Sequence, residues 1–324
     1  MNHKPSIALI ATGGTIAGAA ASASDTTGYA AGAIKVAALL EAVPGLEAIA
    51  DIRPETLFAL DSKDMTPAHW LALAQRVQSL AEQRDIDGIV ITHGTDTLEE
   101  TAFFLHLTLG TDKPVVLTAA MRPATALSAD GPMNLFAAVS VAGSAEFRGL
   151  GTLVAVNDRV FAAREVSKWH TRAVEGVGSP ETGALGWANP PRLHRPSPGF
   201  DRGVLPLAAV DAARWPLAVE VFYLTAGASP MLLDAAVDAG LRGAVLACAG
   251  HGSLPDSWLP AVERAIANGC AVVRASRVAQ GSVGAGHGPA GLLNAGTLSP
   301  SKARVALMLC LASAAAERFG EIAS

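Results

Sequence analysis

Short apolar runs alternate with longer helical patterns along this chain of 324 residues, and this alternation constrains the fold more than any other feature. Runs such as SIALIA (6–11), GIVIT (88–92) and TLVAV (152–156) are largely apolar toward both faces of a strand. Strands of that kind are typical of a parallel sheet that helices cover on both sides. The repeated order of strand, loop and helix therefore predicts a doubly wound α/β fold.

The remaining elements follow from the same periodicities. We predict further strands at 114–119, 217–224, 244–248 and 271–275, and helices near 67–83, 97–109, 132–145, 231–239, 257–268 and 301–317. Thr66 followed by Pro67 is typical of a capped helix start. Thr97 with Glu100 three residues later predicts a capping box at the next helix.

A proline-dense stretch, NPPRLHRPSPGFDRGVLP (189–206), interrupts this pattern and has no periodicity of its own. Such a stretch marks a linker or a domain boundary. We therefore predict a larger doubly wound domain at 1–188, a proline-rich linker at 189–216 and a smaller, flavodoxin-like α/β domain at 217–324.

Charge and hydropathy exclude several classes of partner. The net charge is −5 and no run of five or more basic residues occurs, so neither nucleic acid nor a membrane surface is expected to bind. The longest apolar stretch, 305–316, is shorter than the roughly 20 residues of a membrane span. The N-terminal apolar segment is too short for a signal peptide, and the three cysteines are scattered. These features favour the cytoplasm; a periplasmic location stays open if a leader was removed.

Polar clusters follow three of the predicted strands, where an open α/β sheet binds its ligands. They are ATGGTIAG (11–18), THGTDT (92–97) and AAMRPATALSADGP (119–132). No phosphate-binding glycine motif is present. Two interpretations of the first cluster stay open: a glycine turn whose threonines bond their own backbone, or a tight turn at Gly13-Gly14 that exposes Thr15 as a nucleophile.

The second cluster has its own alternatives. A single histidine, His93, next to Asp96 supplies too few ligands for a metal, so we expect a hydrogen-bonded structural histidine and no metal site. Asp96 would serve equally as a cap for the following helix. Capping alone does not explain why hydroxyl residues surround this carboxylate.

The clusters together resemble a known family. ATGGTIA followed by GIVITHGTDTLEET is similar to the two signature regions of bacterial-type L-asparaginases, the asparaginase/glutaminase amidohydrolases. Further similar segments occur in the family's order over essentially the whole chain: AAMRP, SADGPMNL, NDRVFAAREVSK, SRV and AGTLSPSKARV. The resemblance implies a catalytic N-terminal domain that hydrolyses L-asparagine without metal or organic cofactor, in a homotetramer built as a dimer of dimers.

The resemblance also implies roles for individual residues. Thr15 corresponds to the nucleophile, and Tyr29 on the following loop assists it. Thr95, Asp96 and Lys168 form a second triad. The implied substrate-binding residues are Gly14, Ser62, Thr95, Asp96 and Ala120.

General chemistry supports these roles. A threonine hydroxyl needs a neighbouring base to act as a nucleophile. A lysine withdrawn from water gives up its proton more readily, so Lys168 would deprotonate Thr95 or a water molecule. Asp96 would hold Lys168 and the substrate's α-ammonium group. Backbone N–H groups at the glycine turn and the helix start would stabilise an oxyanion.

Three positions depart from the family pattern. Lys63 stands where Gln or Glu is frequent, and we expect it to turn to solvent. His251 stands where many members have an asparagine that reaches the neighbouring subunit's site. The stretch 279–296 contains no Asp or Glu, where many members have a glutamate, and His287 carries the wrong charge to replace it. We therefore expect asparagine to be preferred and glutamine to be a poor substrate.

Other functions remain in view. The nearest alternative is a broader glutaminase-asparaginase or an amidohydrolase of another ω-amide. The amidase part of a tRNA-dependent amidotransferase is disfavoured by the acidic balance. A non-catalytic amino-acid sensor on the same scaffold would explain the missing glutamate, but it would not need Thr15 beside a potential base.

Overall fold

The computed structural model describes residues 4–25, 28–197, 202–284 and 286–324. The chain divides into two compact units, Met1–Val204 and Leu205–Ser324. The first contains an eight-stranded sheet and the second a four-stranded parallel sheet. The predicted class, a larger and a smaller α/β unit, is therefore confirmed, and the exact domain limits stay a prediction.

The first unit contains twelve described strands and five described helices. The strands are β1 (Ser6–Gly13), β2 (Ala19–Ala20), β3 (Tyr29–Ala30), β4 (Asp51–Leu60), β5 (Gly88–Thr92), β6 (Val115–Thr118), β7 (Thr152–Val156), β8 (Arg159–Ala162), β9 (Ser167–Lys168), β10 (Val177–Gly178), β11 (Gly186–Ala188) and β12 (Pro191–Leu193). The helices are α1 (Val36–Glu41), α2 (Leu46–Ile49), α3 (Pro67–Ala81), α4 (Leu98–Thr108) and α5 (Gly131–Ala142).

The large sheet has the strand order β12-β11-β8-β7-β6-β5-β1-β4. Strands β4, β1, β5, β6 and β7 run parallel, and the three strands from β8 outward pair antiparallel. Ala11 lies opposite Thr92, and Thr92 lies opposite Thr118. The three polar clusters therefore leave the sheet at one edge, side by side.

Helices cover both faces of this sheet. Every residue of β1 is buried. Ile7, Leu9 and Val90 belong to the apolar cluster that includes α5, while their neighbours Ala8 and Ile10, also buried, point to the opposite face. A strand buried on both sides needs a helical layer on each, which is the arrangement that the apolar runs predict.

Several elements escaped the sequence analysis. β4 is ten residues long but has no buried residue, contains Pro54 and lies at the sheet edge, where proline is tolerated. Because β4 mixes polar and apolar residues, its sequence has no strand pattern. Helices α1 and α2 and strands β8, β11 and β12 were also not predicted, and β12 pairs with β11 inside the stretch predicted as a linker.

The two predicted helix caps had different outcomes. Thr66 caps α3 as predicted, since its hydroxyl accepts from the His69 N–H and the His69 ring accepts from the Thr66 N–H. The capping box at Thr97 is wrong: Thr97 stands at the start of α4 but makes no side-chain cap. Its hydroxyl instead donates to the Ser62 carbonyl at 2.8 Å, because a neighbouring loop offers that acceptor.

The second unit contains strands β13 (Val219–Tyr223), β14 (Gly243–Cys248), β15 (Ala271–Ser276) and β16 (Leu293–Asn294), all parallel and in chain order. Its helices are α6 (Met231–Asp238), α7 (Leu259–Ala267), α8 (Pro300–Ala312) and α9 (Phe319–Ala323). Helix α8 is buried but ends earlier than predicted, and Ala314 beyond it has a φ of +51°. None of the described helices is both long and apolar enough to span a bilayer.

The three cysteines, Cys248, Cys270 and Cys310, are free and buried. Burial raises the pKa of their thiols to about 11, about 11 and about 12, respectively. They are therefore protonated at neutral pH and serve as packed apolar side chains.

Candidate active site

A glycine turn ends β1 and brings the chain against β5. Gly13 and Gly14 have φ angles of +104° and +81°. A Cβ atom on Gly13 would lie 2.3 Å from the Leu60 carbonyl oxygen, and one on Gly14 would lie 2.3 Å from the Gly94 nitrogen. Both positions therefore require glycine, for conformation and for space. This geometry favours the tight-turn interpretation of the first cluster.

The two threonines that flank this turn have different surroundings. The Thr12 hydroxyl donates to the Thr92 carbonyl at 2.8 Å, so it ties β1 to β5. Thr15 begins a short 3-10 turn, Thr15–Ala17, and is only 6% exposed. The Gly14 and Gly94 backbones are in contact. Thr15 and Thr95 are the residues that directly follow these two glycines.

The sequence analysis placed the oxyanion donors at the glycine turn and at the helix start; Thr95, on the loop before α4, was not among them. The Gly14 N–H donates to the Leu60 carbonyl at 2.8 Å and is therefore occupied. The Thr95 N–H donates to no acceptor in the described part of the chain. Of these two groups, the Thr95 N–H is the one that can meet a ligand oxygen.

Lys168 joins two of the predicted site residues. Its Nζ atom donates to Thr95 Oγ1 at 2.9 Å and to Asp96 Oδ1 at 2.5 Å. The side chain of Lys168 is 20% exposed, whereas that of Asp96 is 53% exposed. The structure thus brings together the hydroxyl, the amine and the carboxylate that the resemblance groups as a triad. Asp96 and Lys168 both line an open cavity.

Ser62 packs against the same loop. Its hydroxyl accepts the Asp96 N–H at 3.2 Å, and a Cβ on Gly94 would lie 2.5 Å from that hydroxyl oxygen. The next residue, Lys63, is largely exposed and pairs with Asp64 at 2.5 Å and with Asp61 at 3.5 Å. The hydrogen bond with Asp64 raises the pKa of Lys63. Its charge is therefore balanced by its own neighbours.

The third cluster forms a turn that a half-buried carboxylate holds. Asp130 accepts the Met121 N–H at 2.9 Å and the Arg122 N–H at 3.0 Å, so it fixes the backbone just after Ala120, which is itself buried. Burial raises the pKa of Asp130. The sequence analysis assigned no role to Asp130; the available signal was an aspartate directly before a Gly-Pro helix start.

His93 directly precedes the Gly94 loop, and both of its ring nitrogens are within hydrogen-bond distance of a partner. Trp70 Nε1 donates to Thr101 Oγ1 at 3.0 Å, and that hydroxyl is 3.0 Å from His93 Nε2. His93 Nδ1 lies 2.7 Å from the Gly94 carbonyl oxygen, which it contacts as a donor in the neutral ring. His93 is fully buried, and this burial lowers its pKa from 6.5 to about 4. It is the structural histidine that the second cluster predicts.

This histidine makes stability depend on pH. Since its pKa is about 6.5 unfolded and about 4 folded, its contribution is complete above pH 6.5 and is lost as the pH falls toward 4. Between pH 7.5 and 5.0 the free energy of unfolding should fall by about 2 kcal/mol through His93 alone. Urea unfolding of wild type and His93→Gln at both pH values measures this difference.

The control for that measurement is the exposed His194. His194→Gln should keep the pH dependence of wild type, whereas His93→Gln should lose about 2 kcal/mol of it. An equal pH dependence in wild type and His93→Gln would contradict the assignment of His93 as a buried neutral ring.

Other predicted residues lie outside this constellation. The side chain of Tyr29 is outside the described residues. His251 belongs to the second unit, where its Nε2 atom accepts the Gly284 N–H at 3.2 Å. The described residues contain no group of three side chains that could hold a metal ion.

The fold and the site together define a two-unit α/β protein whose larger sheet ends in a hydroxyl, lysine and carboxylate constellation. Residues 6–197 match the family model described as "Asparaginase, N-terminal", and residues 218–318 match "Glutaminase/Asparaginase C-terminal domain". The chain belongs to the asparaginase family.

Named relatives resemble the chain over nearly its full length. L-asparaginase 2 of Bacillus subtilis (strain 168) is 42% identical over 95% of this chain and 82% of the relative. The glutaminase-asparaginase of Acinetobacter glutaminasificans is 37% identical over 95% of both chains. The crystal structure of a probable cytoplasmic L-asparaginase from Campylobacter jejuni superimposes with a TM-score of 0.91 at 39% identity, covering 99% of each chain.

Proposed function

We propose that this protein hydrolyses L-asparagine to L-aspartate and ammonia through an ester on Thr15. The observation that carries the proposal is the position of Lys168, 2.9 Å from the Thr95 hydroxyl and 2.5 Å from Asp96, at the loop that touches the Thr15 turn. Similarity to proteins named L-asparaginase supports the choice of substrate. The proposed reaction calls for no metal or organic cofactor.

The proposed reaction has two balanced halves. Thr15 Oγ1 attacks the side-chain amide carbon, its proton passes to the amide nitrogen, and the C–N bond breaks to release ammonia. Water then attacks the ester carbon, the bond to Thr15 Oγ1 breaks, and a proton returns to that oxygen. The sum is one amide and one water converted into one acid and one ammonia.

The triad residues serve proton transfer in this proposal. In its neutral form, Lys168 accepts a proton from Thr95 or from water, and Asp96 then stabilises the ammonium that results. The 2.5 Å contact supports this role for Asp96, because the carboxylate lies within hydrogen-bond distance of the amine. Asp96, whose side chain is about half exposed and lines the cavity, also binds the α-ammonium group of the substrate.

The oxyanion is assigned to main-chain donors. The Thr95 N–H is without an acceptor in the described residues and lies on the loop that contacts the Thr15 turn. One donor of this kind contributes about 3 kcal/mol to stabilising the tetrahedral intermediate. Ser62 and Ala120 complete the substrate pocket in the proposal. Gly14 has no side chain and therefore allows the close contact with Gly94.

The finer expectations from the resemblance belong to the same proposal. Tyr29 assists Thr15, and the protein assembles as a dimer of dimers in which His251 approaches a neighbouring subunit's site. We place it in the cytoplasm, as the name of the Campylobacter jejuni structure has it for that protein; a Haemophilus influenzae relative is named periplasmic.

A broader specificity is the second candidate. Relatives of Acinetobacter and Pseudomonas at 37% and 39% identity are named glutaminase-asparaginase. No comparable observation favours a non-catalytic sensor.

Ammonia release from L-asparagine, D-asparagine and L-glutamine, with wild type beside Thr15→Ala, tests the proposal. We expect wild type to release ammonia from L-asparagine fastest, and Thr15→Ala from none of the three. Rapid release from L-glutamine would favour the broader enzyme. If wild type released ammonia from none of the three amides, the asparaginase proposal would be refuted.

A further inference from the structure

Asn134 occupies a junction that the established features leave unexplained. It lies in the first turn of α5 and is buried. Its Nδ2 atom donates to the Ala119 carbonyl at 2.9 Å and contacts Asp130 Oδ2 at 3.3 Å, while its Oδ1 atom accepts the Asn157 N–H at 2.9 Å. Only a carboxamide has both the donors and the acceptor that this position uses.

One end of this junction is the turn that contains Ala120. The Asn134 amide holds the carbonyl of residue 119, and Asp130 holds the N–H groups of residues 121 and 122. The turn 119–122 is therefore fixed on both sides of Ala120. Asp130 stands at the start of α5 but makes no cap there, so its carboxylate serves this turn.

The other end is the hairpin that carries Lys168. Asn157 has a φ of +50° in the tight turn between β7 and β8, and its Nδ2 atom donates to the Val174 carbonyl at 2.7 Å. Val174 lies three residues before Val177, which pairs with Lys168 across the β9-β10 hairpin. The Lys168 N–H is held separately by Glu99 at 2.9 Å.

We propose that Asn134 and Asn157 are positioning residues that hold the 119–122 turn and the Lys168 hairpin in register across the site. The proposal rests on the function proposed above, since it concerns how that site keeps its geometry. Neither asparagine bonds to Thr95, Asp96 or the Lys168 amine, so both act through the backbone of other residues. A displacement of about 1 Å at Lys168 is enough to cost about 100-fold in rate.

Asn157→Gly tests this role with little backbone disturbance, because glycine accepts the positive φ while the carboxamide is removed. Asp158→Gly is the matched control: Asp158 has a φ of +59°, and its exposed carboxylate bonds to no group in the described chain. We expect Asn157→Gly to lower kcat for L-asparagine by about 10-fold to 100-fold, and Asp158→Gly to change it less than 2-fold.

A double variant separates positioning from general stability. If Asn157 acts by placing Lys168, then Asn157→Gly combined with Lys168→Met should be no slower than Lys168→Met alone. A double variant whose kcat is lowered by the product of the two single reductions would overturn the proposal. Equal kcat values in wild type and Asn157→Gly would overturn it as well.

Hydrogen–deuterium exchange gives a readout that does not need activity. Asn157→Gly should raise exchange in 167–178, because the side-chain bond to Val174 is lost, and Asp158→Gly should not. Unchanged exchange in 167–178 would overturn the positioning role even in an active enzyme. An inactive wild type would instead refute the proposed function, and the exchange result would still decide the role of Asn157.

Discussion

We expect Thr15→Ala to reduce kcat/KM for L-asparagine by about 10⁴-fold or more, because it removes the proposed covalent nucleophile. Thr15 lies in a short turn and is a small side chain, so the variant should fold with an unfolding free energy within about 1 kcal/mol of wild type. Ammonia release and urea unfolding measure the two quantities. Thr15→Ser keeps the hydroxyl and should retain much more activity than the alanine variant.

Thr12 is the matched control for Thr15. Its hydroxyl donates to the Thr92 carbonyl, so Thr12→Ala should cost about 1 kcal/mol of stability and less than 10-fold in activity. A different result would reassign the chemistry: if Thr15→Ala kept substantial activity and Thr95→Ala abolished it, the nucleophile would be Thr95.

The second large effect is expected at Lys168. Lys168→Met removes the proposed base and should lower kcat by about 10³-fold, within the range of general acid–base catalysis. The loss of stability should stay near 1 kcal/mol, because Asp96 is half exposed and water can solvate it after the lysine is removed. Steady-state kinetics and urea unfolding check both expectations.

Lys4 provides the control for this substitution. It also forms an ion pair, with Asp51 at 2.8 Å, but it precedes β1 and therefore lies at the amino edge of the sheet, away from the site. Lys4→Met should leave kcat within about 2-fold of wild type. A Lys168→Met variant that keeps a third of the wild-type kcat would show that Lys168 is not the base.

The residues of the site illustrate how far sequence reasoning reaches. Thr15, Ser62, Thr95, Asp96 and Lys168 were all named from short motifs, yet their mutual distances were not accessible. Lys168 is 73 residues from Thr95 along the chain, and only folding places its amine 2.9 Å from that hydroxyl. Asp130 was missed because its position before a Gly-Pro helix start indicates a cap at most, whereas its partners are the main-chain N–H groups of another turn.

The same limit explains the errors in the fold. Thr97 has the local pattern of a helix cap, but its hydroxyl donates a hydrogen bond to the Ser62 carbonyl, 35 residues away. β4 was missed because an edge strand is half solvated and mixes polar with apolar residues. Both outcomes depend on contacts between distant segments.

The sequence by itself determined the α/β class and the strand-end location of the polar clusters. Periodic burial and backbone conformation are local properties, and local properties are written in consecutive residues. Tertiary structure decided which hydroxyl is tied to a neighbouring strand, which N–H is left for a ligand and which amine meets which carboxylate. Hydrogen bonds form between whatever groups folding brings within about 3 Å, whatever their distance along the chain.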